Sequence, residues 1–331
     1  MLSPLVAVPL AAALSAGLIV RLRPLLVRYA LARPNARSSH TEPTPQGGGI
    51  AVVTAALFAA GILRTSDLGD VGEWLALALG TVALALLGAI DDIRPLPAAL
   101  RLAVQGAVVA ALVAFVRGRL FPDLPLPVER ALAVLAGLWF VNLVNFMDGL
   151  DWMTVAEIVP VTGALLILGG LGHLPPLAML MAAGLFGAML GFAPFNRPVA
   201  RLFLGDVGSL PIGLITAWLL YRLALQGGLA AAILLPLYYL ADATLTLARR
   251  AARGERVWEA HRSHFYQRAT VNGLSVPGVV GRVFALNIVL AGLAAATLLW
   301  PGWLVSLGAL ALGAALVAAL LAHFARPQEA Q

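Results

Sequence analysis

Stretches of about twenty consecutive apolar residues recur from one end of this 331-residue chain to the other. Each is long enough to cross the hydrocarbon core of a bilayer. A chain built this way must satisfy its backbone groups inside helices, which restricts it to an all-α, polytopic membrane bundle. The runs fall at approximately 4–20, 47–64, 73–90, 98–116, 131–147, 153–171, 176–194, 203–221, 228–247, 277–299 and 302–323. They read as about eleven transmembrane helices in a single domain over residues 1–331. Charged residues make up 11% of the chain, against about a quarter in an average soluble domain.

Arginine placement orients the bundle. Arg21, Arg23, Arg28, Arg33 and Arg37 follow the first helix, and Arg249, Arg250, Arg253, Arg256, Arg262 and Arg268 follow the ninth. Both segments are expected in the cytoplasm. Asp67, Asp70 and Glu73 after the second helix suit the outer face. Alternation then puts the N-terminus outside and the C-terminus inside. The first helix lacks a basic start and reads as an uncleaved anchor.

With that orientation, Asp91, Asp92, Asp148, Asp151 and Asp206 all fall at the inner ends of their helices. Ionisable groups near membrane depth are costly and mark function by default. The Asp91-Asp92 pair can hold Mg²⁺, a hard cation that prefers oxygen, or one member can accept a proton. The plainer reading is a polar helix end meeting water. Arg101 and Gln105 lie four residues apart on one helical face, which aims a cation at the acids. In Asn142-Leu-Val-Asn145-Phe-Met-Asp148-Gly149-Leu-Asp151, polar residues recur every third position and Gly149 can expose backbone amides. This suits a nucleotide pocket; inter-helix hydrogen bonding by Asn is the alternative. Asp206, between Gly205 and Gly208, opens a helix whose N-terminus favours anions, and it can equally be an ordinary cap.

In the late polar stretch, His261, Arg262 and His264 offer donors for a diphosphate, with Glu259 close by. Zinc is a competing reading, weakened by the absence of a third nitrogen or sulfur ligand. A surface charge cluster is another. The glycines of Thr44-Pro45-Gln46-Gly47-Gly48-Gly49 permit close packing, close substrate approach or a turn. Asp242 is expected to pair with a cytoplasmic arginine, and His40 is expected to be only a loop residue. All 22 basic residues are Arg and Cys is absent, so Schiff-base lysines, Walker-A lysines and thiol chemistry are excluded. The net charge of +6 fits positive loops and an anionic substrate, not nucleic acid.

Taken in order, Pro43–Gly49, Asp91-Asp92 with Leu96, Arg101 and Gln105, Asn142–Asp151, Asn196 with Phe203–Ser209, and His261–His264 resemble one family. It is the polyprenyl-phosphate N-acetylhexosamine-1-phosphate transferases (glycosyltransferase family 4), which include the phospho-MurNAc-pentapeptide transferase. The resemblance covers roughly residues 40–325. The form His-Arg-Ser-His-Phe-Tyr-Gln-Arg looks like the O-antigen-initiating branch; the peptidoglycan enzyme has three successive histidines there. Where many members carry Lys after the Asp pair, this chain has Arg101.

The resemblance implies transfer of a sugar-1-phosphate from a UDP-N-acetylhexosamine to undecaprenyl phosphate, with Mg²⁺ or Mn²⁺ as cofactor and UMP as leaving group. It implies Asp206 as principal metal ligand, Asp92 supporting metal or phosphate, and Asp91 deprotonating or orienting the lipid phosphate. Asn196, Phe203, Asp148 and Gly149 would bind uridine, with Asn142, Asn145 and Asp151 shaping the pocket. Arg101, His261, Arg262 and His264 would meet the phosphates. Direct attack is the expected route, and a phospho-aspartate at Asp91 is the variant. The expected location is the bacterial inner membrane with the site facing the cytoplasm. A homodimer is compatible with the composition. The rival functions are a proton-coupled transporter, whose acids would sit near the midplane, and a silent scaffold.

Overall fold

A computed structural model describes residues 2–32, 43–64, 71–257 and 261–327. Its helices are α1 Leu2–Tyr29, α2 Gly48–Leu63, α3 Val71–Ile93, α4 Ala98–Phe115, α5 Leu126–Met147, α6 Met153–Gly170 and α7 Pro176–Phe192. They continue with α8 Asp206–Leu223, α9 Leu229–Leu234, α10 Leu237–Ala252, α11 Phe265–Val271, α12 Val276–Leu299 and α13 Trp303–Ala325. The extended structure among the described residues is slight: β1 Leu31–Ala32 pairs antiparallel with β2 Thr44–Pro45, and Gln46 bridges Phe203. Arg33, Arg37, His40, Asp67, Asp70 and Glu259 lie outside the described residues.

Nine stretches among the described residues are long and apolar enough to cross a membrane, and α2 is a shorter apolar helix of 16 residues. One of the nine, Asp206–Leu234, is not one straight helix. Gln226 and Gly227 leave helical geometry, with Gly227 at φ 87°, so α8 ends there and α9 begins anew. The expected helix at 228–247 is in fact α9 followed by α10, broken at Pro236 (φ −97°, ψ 20°), which has no N–H to continue the ladder. Two other boundaries also differ from expectation. α1 runs on to Tyr29, carrying Arg21, Arg23 and Arg28 in helix, and α5 starts at Leu126 because Pro125 and Pro127 suit a helix N-terminus.

The helices alternate in direction so that one set of ends meets in a single layer. Gln46 N donates to Ala30 O, and Gly49 N to Leu204 O, at 2.9 Å each. These join the end of α1 to the starts of α2 and α8. Asp92 meets Asp206, Arg101 meets Asp91, and Asn145 meets Asp206. Trp152, before α6, meets Asn196 after α7. Tyr266 on α11 meets Phe146, and Asn272 meets Phe324 near the end of α13. At the far end, the Trp218 indole donates to Glu73 at 2.8 Å and Arg119 pairs with Glu129. The described residues therefore begin at the far end with α1 and finish at the shared one with α13.

Small residues let these helices approach closely, the usual packing solution inside lipid. A β-carbon on Gly49 would fall 2.1 Å from the Gly208 Cα, and one on Gly88 would fall 2.2 Å from the Asp206 carbonyl oxygen. α2 and α3 are thereby seated on the first turn of α8, the turn that carries Asp206.

Candidate active site

Two loops and four helix ends build the carboxylate cluster. Asp91 and Asp92 close α3. Asp91 Oδ1 accepts from Leu96 N at 2.6 Å and Oδ2 from Arg101 Nη1 at 2.6 Å, so the turn into α4 is folded onto this carboxylate. Asp92 points the other way. Its Oδ1 accepts from Asp206 N at 3.0 Å and its Oδ2 from Val207 N at 3.1 Å. These are orphan donors at the N-terminus of α8, and the preceding Gly205 supplies no side chain to cap them. A residue more than a hundred positions upstream does so instead. Gln46 secures the same corner by donating to the Asp92 carbonyl at 3.3 Å.

Asp206 lies against this corner. Its Oδ1 accepts from Asn145 Nδ2 at 2.7 Å, and the same amide reaches Ser209 Oγ at 2.9 Å. The Asp91 and Asp92 carboxylates are its electrostatic neighbours. Asp148 sits one residue past α5 and accepts from the Thr154 hydroxyl. Burial pushes its carboxyl up to about 8, and the negative charges of Asp206, Asp92 and Asp151 add to this against the Thr154 bond. The acid spacing read from the chain is thus a spatial cluster.

Other expected residues frame that cluster. Asn142 donates to Gln105 Oε1 at 2.7 Å and to its own helix, one turn deeper than Asn145. Asp151 is buried and accepts from Ala200 N at 2.9 Å. Asn196 is buried too; it accepts from Trp152 N at 2.8 Å and donates to Leu202 O at 3.0 Å. Both side chains brace the 193–205 loop. Phe203 is half-buried, its backbone held between Pro45 and Gly48. The glycine-rich segment combines the turn and close-packing readings of the sequence: Gly47 adopts φ 107°, Gly49 packs against Gly208, and the strand beside them locks onto the loop before α8. Trp152, at φ 62°, turns the chain from α5 into α6, with its indole donating to Ala193 O at 2.6 Å.

The late motif forms a second wall. His261, His264 and Tyr266 stack, with ring centroids 4.9 and 5.6 Å apart in succession. Arg262 is half-buried between the two histidines in the chain. The Tyr266 hydroxyl donates to Phe146 O at 3.0 Å and lies so close to Gly149 that a β-carbon there would sit 2.1 Å from it. That contact brings the wall to the end of α5, beside Asn145 and Asp148. Asp242 corrects the expectation of an arginine partner: its carboxylate serves His264 and the start of α11. Its signal in the sequence was only a lone acid in an apolar run. The short helix α11 was also unforeseen within the polar stretch 249–276. Among the described residues, no three His, Asp or Glu side chains form a ready metal cage; Glu259, the third member of the zinc reading, lies outside them.

His261 carries a pH consequence. Burial, then the neighbouring His264 and Arg250, holds its imidazole down at about 4, against 6.5 in the open chain. Between those values the unfolded protein takes up a proton that the folded one refuses. The stability from neutral His261 is complete above about 6.5 and is lost as pH falls toward 4. In detergent, His261→Gln should therefore show a shallower fall in melting temperature across that window than the parent; equal slopes would contradict this.

The family model described as glycosyl transferase family 4 matches residues 74–224, from α3 through the end of α8. The chain is 32% identical over 284 residues to a phospho-N-acetylmuramoyl-pentapeptide-transferase of Synechococcus sp. (strain JA-2-3B'a(2-13)), covering 78% of this chain and 80% of that one. It is 33% identical over 216 residues to the decaprenyl-phosphate N-acetylglucosaminephosphotransferase of Mycobacterium tuberculosis (strain CDC 1551 / Oshkosh), covering 57% and 52%. It is 26% identical over 283 residues to a probable undecaprenyl-phosphate N-acetylglucosaminyl 1-phosphate transferase of Bacillus subtilis (strain 168), covering 78% and 76%. The chain belongs to glycosyl transferase family 4, the polyprenyl-phosphate N-acetylhexosamine-1-phosphate transferases, and is a phosphoglycosyl transferase of the multi-pass membrane kind.

Proposed function

We propose that this enzyme transfers N-acetylhexosamine-1-phosphate from a UDP-sugar to undecaprenyl phosphate, as the first membrane step of an O-antigen-type surface glycan. The observation that carries this reading is the convergence of Asp91, Asp92, Asp148 and Asp206 at one end of the bundle, with Arg101 bonded to the cluster. A phosphate oxygen of the lipid attacks the β-phosphorus of the UDP-sugar. A new P–O bond forms, the bond from that phosphorus to the bridging oxygen breaks, and UMP leaves with the electron pair.

Both reactants are anions, so their approach requires positive charge. Mg²⁺ fits the residues present: the side chains around Asp206 offer oxygen donors, and this ion needs only one or two carboxylates beside water and substrate phosphates. Asp206 would hold it; Asp92 would support it while its oxygens cap α8. The ion would supply charge neutralisation. Arg101 holds Asp91 toward the attacking phosphate. Asp148, Gly149 and Phe203 line the uridine side, with Asn196 and Asp151 fixing the loop. Arg262, His261 and His264 face the sugar and its phosphates. An apolar cavity of about 350 Å³ runs among α4, α5, α8, α9 and α10, from Glu129 to Trp139 and Leu240, and offers the prenyl chain a place.

The site end bears Arg94, Arg197, Arg201, Arg249, Arg253 and Arg268, which by the positive-inside rule supports a cytoplasmic site in a bacterial inner membrane. Carriers place their acids near the midplane, whereas these stand at helix ends.

Purified protein given undecaprenyl phosphate and a panel of UDP-sugars should release UMP and yield a lipid-linked sugar diphosphate by mass spectrometry. Absence of both products across the panel would sink the reading. EDTA should silence turnover, and Mg²⁺ or Mn²⁺ should restore it. Full activity in chelator would remove the metal from the reading.

A further inference from the structure

α6 carries a buried acid, Glu157, that the carboxylate site does not use. Pro160 lies inside the same helix and has no N–H, so the Ala156 carbonyl one turn earlier loses its helical donor. Membrane helices tolerate such a gap where a neighbouring helix fills it with a side chain. Asn287 of α12 does so. Its Nδ2 donates to Ala156 O at 2.9 Å and to Glu157 Oε2 at 2.7 Å. Both N–H bonds of the amide are thereby used, and the bare Ala156 carbonyl dictates which way the amide faces.

Two acceptors of this pair remain. Glu157 Oε1 and Asn287 Oδ1 are buried without a partner among the described residues, and each residue is only 1% exposed. No cation stands by. α6 has no basic residue, and the one arginine of α12, Arg282, is exposed and donates to Gly278 O at 2.8 Å. The titratable neighbour from another helix is Tyr239 of α10, whose hydroxyl is likewise buried without a partner. A lone ionised carboxylate in such surroundings is far costlier than the neutral acid. A water molecule could donate to both oxygens, but the charge would stay. One proton on Oε1 removes the charge, turns an orphan acceptor into a donor and gives Asn287 Oδ1 its bond.

We propose that Glu157 and Asn287 form a buried proton-binding site: the un-ionised carboxyl donates from Oε1 to Asn287 Oδ1 while Oε2 accepts from Nδ2, a closed pair that clasps α6 to α12. The clasp lies one turn beyond Thr154, which bonds Asp148, and α12 follows α11, which carries Tyr266. It therefore holds the two walls of the site in register. Its proton takes no part in phosphoryl transfer, so the inference stands apart from the choice of substrate.

The test combines infrared spectra with thermal melts of the full-length protein in detergent at neutral pH. The difference spectrum, parent minus Glu157→Gln, should show the carbonyl stretch of an un-ionised carboxyl. Glutamine keeps the shape, one acceptor and a donor, so Glu157→Gln should melt within about 2 °C of the parent. Asn287→Ala strips partners from both the Ala156 carbonyl and the carboxyl, and should melt about 3–10 °C lower. Tyr239→Phe should leave the carboxyl band in place. Carboxylate bands in the difference spectrum would overturn the proposal, as would a Glu157→Gln protein that melts as low as Asn287→Ala. Loss of the band in Tyr239→Phe would give the bond to that hydroxyl instead. A parent stabilised by Na⁺ or K⁺ over choline at equal ionic strength, with the effect gone in Glu157→Gln, would make the ligand a metal cation and also overturn it. If Asn287→Ala fails to fold, the spectra of parent and Glu157→Gln still decide. Neither readout needs a substrate, so this proposal and the functional reading above fail separately.

Discussion

Asp206→Asn should lose at least roughly 10²–10³-fold in turnover while keeping the parent's melting temperature, the scale seen when one preorganised electrostatic group is removed from a transition state. The reason lies in how little the fold asks of this carboxylate. Asparagine keeps an oxygen that can accept from Asn145 Nδ2, and the first turn of α8 is held through the Asp206 and Val207 amides, which any residue supplies. Only the charge is lost. UMP release from the purified variant, alongside a thermal melt, is the measurement. Parental turnover would take Asp206 out of the site, and a collapsed melt would show that its role is structural.

Gly88→Ala should be among the most damaging single methyl groups in the described structure. Its β-carbon would lie 2.2 Å from the Asp206 carbonyl oxygen, 2.3 Å from the carbonyl carbon and 2.5 Å from Val207 N. All three are backbone atoms, so no side chain can swing aside. Overpacking of this kind costs about 1–3 kcal/mol, sometimes more. Here the strain also separates α3 from α8 and so pulls Asp91 and Asp92 away from Asp206. Stability and turnover should fall together. Gly281→Ala is the control: nothing lies within 4 Å of a β-carbon there, and within α12 alanine is about 0.5–1 kcal/mol better than glycine in helix. If Gly88→Ala melts and turns over like the parent, the close seating of α3 on α8 is wrong.

Neighbouring acids at this end of the bundle are alike in the sequence and differ in their partners. Asp92, like Asp206, reads in the sequence as a carboxylate at a helix end. In the fold its oxygens cap another helix. Asp151 and Asn196 likewise read as ligand groups, and in the structure Asp151 accepts from Ala200 N and Asn196 donates to Leu202 O in the loop that carries Phe203. Residues of identical type therefore differ in what the fold asks of them, and only their partners tell how.

What the sequence determined by itself was the membrane bundle, its approximate segments and the gathering of the acids at one end. These follow from one-dimensional properties: the length of an apolar run sets a crossing, and counting crossings sets which ends meet. The break at Pro236 was legible as a proline, but the turn at Gln226-Gly227 that parts α8 from α9 was not, because a glycine in an apolar run carries no sign of its φ. Only the tertiary structure could decide the roles of Asp92 and Asp242. Each serves amides far from it in the chain, and a hydrogen bond between distant segments leaves no periodicity to read. Close approach at Gly49 and Gly88 belongs to the same class: small size permits contact, but which helix comes to fill the space is settled by packing.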